Sequence, residues 1–316
     1  MSLRDRLLER WRLSPVAWAN FGPASRMIAA ATAPSRRPVL LISHPRSGST
    51  WVGGTLGYAD DALYLKEPLT QTRLRSQSGT VTFELADGDP PRAYLAPAEA
   101  VDIALPAFPP NIVPFPGQWR LRRRSSKRLV LKEVNPLALD WFVRRWDPKI
   151  IYLIRHPAGV AASFVARGWR VKPDGFERRF RSERFASGEI MLERHVGSPW
   201  SALGAVQALV LKLTLEQLHR HADRLVVCYE DLCDNPLAAF RQLYDFAELQ
   251  WTDEVEDKIR RESNGRAVDR AQPFSTTRNS RLMTDAWKGD LAPDEIAAVR
   301  DGYLSYEPDF YGAKDW

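Results

Sequence analysis

The chain has 316 residues, 44% of them hydrophobic, with 45 Lys and Arg against 39 Asp and Glu, a formal net charge of +6. That supplies apolar material for one sizeable α/β core, and the positive balance suits an anionic ligand. Two cysteines, Cys228 and Cys233, build no disulfide framework, and no apolar run approaches the length needed to cross a bilayer.

Residues 1–37 read as an N-terminal helical extension. Leu3, Leu7, Leu8 and Trp11 share one helical face, with Arg4, Arg6, Arg10 and Arg12 around it. The face is read as packing on the chain's own main domain; the alternative is peripheral membrane contact through residues 1–31. No apolar core long enough for a secretory signal is present, and the cysteine usage suits a reducing compartment, so the expected location is cytoplasmic, with membrane association as the alternative.

Pro38 to Ile42 reads as a first strand and Thr50 to Tyr58 as a first helix. Between them, His44-Pro45-Arg46-Ser47-Gly48-Ser49-Thr50-Trp51 combines a fixed charge, a glycine and hydroxyls at a helix start. A helix N-terminus presents unpaired N–H groups and a positive dipole end, which together cradle an anion. The loop is not a Walker A sequence, because no Lys follows Gly48 and the earlier glycine is absent. A strand-like run, Leu63-Tyr64-Leu65, leads to Lys66 and Glu67. From Asp87 to Ser126 there are eight prolines, which predicts loop and excludes a long helix; this insertion, 87–126, is read as a cover on the acceptor side.

Strands follow at Leu129–Lys132, Ile150–Ile154 and Leu225–Tyr229, and helices at about Leu137–Arg145, Ala158–Val165, Ser201–His221, Pro236–Ala247, Asp253–Glu262 and Pro293–Tyr303. Alternating strands and helices predict an α/β fold of P-loop-like, three-layer type, a central mainly parallel sheet covered by helices on both faces, forming a single domain over 38–316. Arg46, Glu67, Lys132 and Arg155 all fall just after predicted strands. The carboxyl ends of parallel strands are where such sheets bind ligands.

These motifs resemble those of the 3′-phosphoadenosine-5′-phosphosulfate-dependent sulfotransferase family. Pro45 to Trp51 looks like its 5′-phosphosulfate loop, and Arg155 with Ser163, eight positions on, looks like its 3′-phosphate site. Leu63 to Pro68, Leu129 to Val134 and Ser275 to Ser280, with Trp287-Lys288 after them, are similar to segments of the carbohydrate sulfotransferases. The resemblance implies that the nucleotide is held by Arg46, Ser47, Gly48, Ser49, Thr50, Trp51, Arg155, Ser163, Tyr229, Arg278, Asn279 and Ser280, with Trp51 and Tyr229 near adenine. It implies 3′-phosphoadenosine-5′-phosphosulfate as donor, its 3′,5′-bisphosphate as product, no metal and no nucleic-acid partner.

Sulfuryl transfer needs charge at the leaving oxygen and a base for the acceptor proton. Arg46 is the candidate for the first and Lys132 for contact with the sulfuryl group. Where cytosolic relatives carry the base, a histidine, this chain has Val134. Glu67 is the candidate replacement, with partial desolvation by Tyr64 and Leu65 raising its proton affinity, and Glu133 is the second candidate. His44 is read as supporting the loop. Two Arg-rich stretches, 120–128 and 167–184, are read as flanking the acceptor side, suited to an acidic glycan or an anionic lipid headgroup. The resemblance to carbohydrate sulfotransferases implies a carbohydrate or polysaccharide hydroxyl as acceptor; the alternatives are a lipid or small natural product, and then a nucleotide-dependent phosphotransferase or a non-catalytic anion-binding protein.

Overall fold

The computed structural model describes residues 15–76, 82, 92–168, 194–195, 197–263 and 284–316. The elements in chain order are α1 (Pro23–Ala31), β1 (Val39–Ser43), α2 (Ser49–Leu56), β2 (Ala62–Lys66), α3 (Pro68–Ser76), α4 (Arg92–Asp102), β3 (Arg128–Glu133), α5 (Leu139–Trp146), β4 (Lys149–Ile154), α6 (Pro157–Val165), α7 (Pro199–Leu218), β5 (Arg224–Cys228), α8 (Tyr229–Asp234), α9 (Pro236–Ala247), α10 (Asp253–Ser263), α11 (Trp287–Asp290) and α12 (Pro293–Leu304). Among the described residues no helix is long and apolar enough to span a membrane.

The five strands form one all-parallel sheet in the order β2-β3-β1-β4-β5. Because side chains alternate across a strand, its apolar runs feed two cores. Leu40, Ile42, Leu63, Leu65, Leu131, Ile150 and Tyr152 face one, which α4, α5, α7 and α12 close. Val39, Leu41, Tyr64, Val130, Ile151 and Leu153 face the other, closed by α2, α8, α9 and α10. Helix α7 is apolar around nearly its whole circumference and is buried accordingly. It meets α12 so closely that a Cβ on Gly204 would lie 2.0 Å from Val299 O, and one on Gly302 1.9 Å from Ser201 O.

Three expectations are corrected. The proline-rich stretch contains α4, with Pro97 inside it. The prolines crowd at 90–91 and 106–116, leaving Pro97 alone between them, and the lost i→i−4 bond is offset by burial of Tyr94, Ala98 and Val101. Residues 112–119 then pack on the outer edge of β2: Lys66 N–H donates to Ile112 O at 2.9 Å, and Ile112, Val113 and Trp119 are buried. Tyr229 opens α8 rather than ending β5.

The first Arg-rich stretch does not flank the acceptor side. It precedes β3 and so lies at the amino ends of the parallel strands, where Arg128 pairs in register with Ala62. Arg124 is fully buried and donates to Ala29 O, Thr32 Oγ1, Ile103 O and Ala104 O. Arg128 is buried on Arg37 O and the Glu248 carboxylate. Of the second stretch, residues 169–184 lie outside the described residues, as do residues 1–14. Residues 17–31 pack on the body of the protein: Ala19 and Ala29 meet Ala100 and Leu105, and Trp18 Nε1–H donates to Trp119 O at 2.9 Å.

Candidate active site

Strand β1 lies between β3 and β4, and the chain builds one side of the sheet before crossing to the other. The loop after β1 therefore sits where the connections diverge, the usual ligand crevice of an open parallel sheet. Its neighbours on the sheet edge are Lys132 and Glu133, ending β3, and Arg155, following β4.

The loop turns through two left-handed residues, Arg46 at φ 71° and Gly48 at φ 90°. Gly48 is required for a second reason: a Cβ there would stand 2.4 Å from the Tyr229 ring. Helix α2 starts at Ser49, so the N–H groups of Ser49 and Thr50 have no intrahelical acceptor, while Trp51 N–H donates to Gly48 O at 3.0 Å. Ser47 and Ser49 are buried, Thr50 is partly exposed, and His44 stacks on Phe164 at 5.7 Å with Nδ1 3.0 Å from Pro45 O. His44 thus braces the loop against α6.

Three of the expected contacts meet across the crevice. Arg46 Nε donates to Ser163 Oγ at 2.9 Å, and Arg155 Nη1 donates to Arg46 O at 3.2 Å. The Arg155 guanidinium lies over the Tyr229 ring, 4.6 Å from its centroid, and Gly159 leaves room for it, since a Cβ there would be 3.0 Å from Arg155 Nε. Tyr229 is thus a plate between the loop and Arg155. Trp51 is 8% exposed and packs edge-on against Phe240 and Tyr229, so the ring expected beside adenine is set mainly in the core. Arg278, Asn279 and Ser280 lie outside the described residues.

On the other side, Glu67 follows β2 in a left-handed conformation, φ 53°, and its N–H donates to Lys132 O at 2.6 Å. Its Oε1 pairs with Lys132 Nζ, and its Oε2 accepts from Gln71 Nε2 at 2.6 Å. The expected desolvation is present: burial pushes the carboxyl pKa up. The charge and hydrogen bond of Lys132, then Gln71 and Lys66, outweigh it and hold Glu67 below the ordinary carboxylate range. The expected net rise in its proton affinity is therefore corrected: burial acts in that direction, and Lys132 reverses it in this state. Lys66 is pushed down by burial and by the Lys132 charge.

Glu133 points to the opposite face. It is fully buried and accepts from Leu69 N at 2.8 Å and Thr70 Oγ1 at 2.6 Å, fixing the start of α3. Burial raises its pKa to about 7, against those hydrogen bonds. Val134 is buried and offers no titrating group. Gln71 is absent from the residues expected at the site, although its place four residues after Glu67 is the spacing at which side chains meet along a helix. Glu230, which ties Tyr229's helix to β4, carried no local signal.

The mouse (Mus musculus) carbohydrate sulfotransferase 4 is 23% identical over 329 residues, spanning 84% of this chain and 80% of that protein. The human (Homo sapiens) carbohydrate sulfotransferase 5 is 26% identical over 310 residues, 83% of this chain and 74% of that one. Among solved structures, the sulfotransferase domain from the curacin biosynthetic pathway aligns with a TM-score of 0.46 at 18% identity, over 87% of this chain and all of that one. The sulfotransferase domain family matches residues 36–299, which takes in the sheet, the loop after β1 and both flanking clusters. The chain belongs to the sulfotransferase family and is a sulfotransferase.

Proposed function

We propose that the protein moves a sulfuryl group from 3′-phosphoadenosine-5′-phosphosulfate to a carbohydrate hydroxyl. The observation that carries the donor assignment is the meeting of Arg46, Ser163 and Arg155 beside the start of α2, side chains from three segments converging at the carboxyl ends of β1 and β4. The donor set fits a nucleotide with two separate anionic groups. Arg155 and Ser163 would take a 3′-phosphate, and the N–H groups of Ser47 to Thr50 with Arg46 would take the 5′ side. The carbohydrate acceptor is supported by the carbohydrate sulfotransferases that the chain resembles along most of its length.

The bound donor supplies the reactive sulfur; the protein's part is to position, neutralise and accept a proton. Arg46 stabilises charge on the departing oxygen, where a fixed donor is typically worth about 2.7–4 kcal/mol. Lys132 is shared between Glu67 and the incoming anion. Drawing the ammonium toward the anion weakens its hold on Glu67, and the buried carboxylate then gains proton affinity where the acceptor hydroxyl must ionise. With Lys132 undivided, Glu67 is a poor base, which ties proton removal to an occupied site.

Calorimetry with 3′-phosphoadenosine-5′-phosphate, AMP and ATP tests the donor. The bisphosphate should bind at least about tenfold more tightly than either, a gap of roughly 1.4 kcal/mol, and raise the melting temperature accordingly. Equal affinity for AMP overturns the assignment. Incubation with labelled donor and a panel of neutral glycans, acidic glycans, phenols and sterols tests the acceptor; label on the phenol or sterol and none on any glycan overturns the carbohydrate reading.

A further inference from the structure

Arg155 is held from behind by a connected set of groups that the transfer chemistry does not use. The next residue, His156, donates its backbone N–H to Glu230 Oε1 at 3.0 Å, and Glu230 Oε2 accepts from Tyr311 Oη at 2.7 Å. Glu230 directly follows Tyr229, the plate under the Arg155 guanidinium. One carboxylate therefore joins the end of β4, the start of α8 and the segment 311–316.

The His156 ring closes the same set. Its Nδ1 accepts from Ala158 N at 3.3 Å, and its Nε2–H donates to Asp315 O at 3.0 Å. It stacks flat on Trp287 at 4.5 Å and meets Trp316 edge-on at 4.7 Å. The segment is itself anchored: Trp316 Nε1–H donates to Tyr311 O at 3.2 Å, and Arg300 Nη2 donates to Ala313 O at 3.0 Å from α12. Both ring nitrogens are committed as a neutral tautomer, and burial keeps the ring uncharged, with its pKa lowered to about 4.

We infer that residues 311–316, acting through Glu230 and His156, form a strap that positions Arg155 and so sets the preference for a 3′-phosphorylated nucleotide. The inference rests on the reading of Arg155 as the 3′-phosphate contact. A guanidinium must hold both direction and plane to bind a phosphate through two donors. Arg155 has its plane set by Tyr229, and the strap fixes the strand end and the helix start that set its direction. Tyr311, Trp316 and His156 are positioning residues, acting on Arg155 through Glu230 and the backbone.

The test measures affinity for 3′-phosphoadenosine-5′-phosphate and for AMP in the full chain and in Tyr311→Phe, Trp316→Ala, Arg155→Ala and the double variant Arg155→Ala/Trp316→Ala. Tyr311→Phe removes one hydroxyl and keeps the ring, so it remains informative where Trp316→Ala lowers stability. Both strap variants should weaken the bisphosphate on the order of three- to tenfold and change AMP by less than about twofold. In the double variant the loss should be no larger than for Arg155→Ala alone, the mark of two groups acting through one contact. Equal losses for the two nucleotides, no loss, or additive losses in the double variant overturn the strap. If Arg155→Ala itself leaves the preference intact, the 3′-phosphate assignment is what fails, and the two failures are told apart by that single variant.

Discussion

Arg46 Nε and Ser163 Oγ lie 2.9 Å apart although 117 residues separate them, so the loop after β1 is tied directly to α6. Arg46 thus does two things: its Nε fixes the loop, and it brings a fixed charge to the carboxyl end of β1. A lysine could offer the charge but not the second, sideways donor. Arg46→Ala should lower kcat far more than it weakens nucleotide binding, because the charge it meets grows in the transition state. Arg46→Lys should retain substantial activity. Steady-state kinetics with calorimetric nucleotide affinities check both; an Arg46→Ala enzyme of near-normal kcat places the stabilisation elsewhere.

The two carboxylates beside Lys132 should separate cleanly. Glu67→Gln is expected to keep donor affinity and to lose on the order of 10²–10⁴-fold in rate, the range for loss of a general base. Glu133→Gln should cost much less rate and show mainly in stability, since Glu133 is occupied with Leu69 N and Thr70 Oγ1. Single-turnover rates beside melting temperatures distinguish them. Reversed behaviour moves the base to Glu133.

Acid should loosen the protein through His156. Its pKa is about 4 in the folded chain against an ordinary value of 6.5. The unfolded chain therefore takes up the proton first, and the stability contributed by the neutral ring is complete above about pH 6.5 and lost as pH falls toward 4. Glu133, raised to about 7, works the other way, favouring the folded state below about pH 4.5 and losing that contribution as pH rises through 7. Comparing the parent with His156→Phe isolates the first effect: the variant should show a flatter decline in unfolding free energy between pH 6.5 and 4.5. Parallel curves for the two proteins sink the idea.

The α7–α12 contact offers a control remote from the crevice. Gly302→Ala forces a methyl group against Ser201 O and should destabilise the fold by roughly 1–3 kcal/mol, the usual range for overpacking. Gly289→Ala, with open space around it, should not. Denaturant midpoints at unchanged m-value read the difference.

The sheet and the crevice were legible because local signals coincide there. Apolar runs such as Val39–Ile42 and Ile150–Ile154 end in Arg46 and Arg155, and a parallel strand declares both its burial and its exit point. Residue roles that depend on which distant group arrives were not legible. Arg124 and Arg128 look like surface cations until carbonyls from three other segments and the Glu248 carboxylate are brought to them. The proline count hid α4, because only Pro97 falls within its span. Glu67 was visible as a strand-end carboxylate, but the sign of its pKa shift depends on Lys132, 65 residues away, and on how tightly the two pair.

Arg124 gives the N-terminal segment an electrical duty. Its guanidinium, fully buried and bonded to no carboxylate oxygen among the described residues, is met by peptide dipoles: Ala29 O from the last turn of α1, and Ile103 O and Ala104 O just past the end of α4. Those are the negative ends of two helices converging on one cation. Severing the chain at residue 36, where the family match begins, would strip away one of those ends and leave a sealed charge half-compensated. Such a shortened chain should melt well below the full one, and Arg124→Met within it should recover part of the loss while destabilising the intact protein. A catalytic body defined by its family boundary alone would thus be cut through its own charge shell.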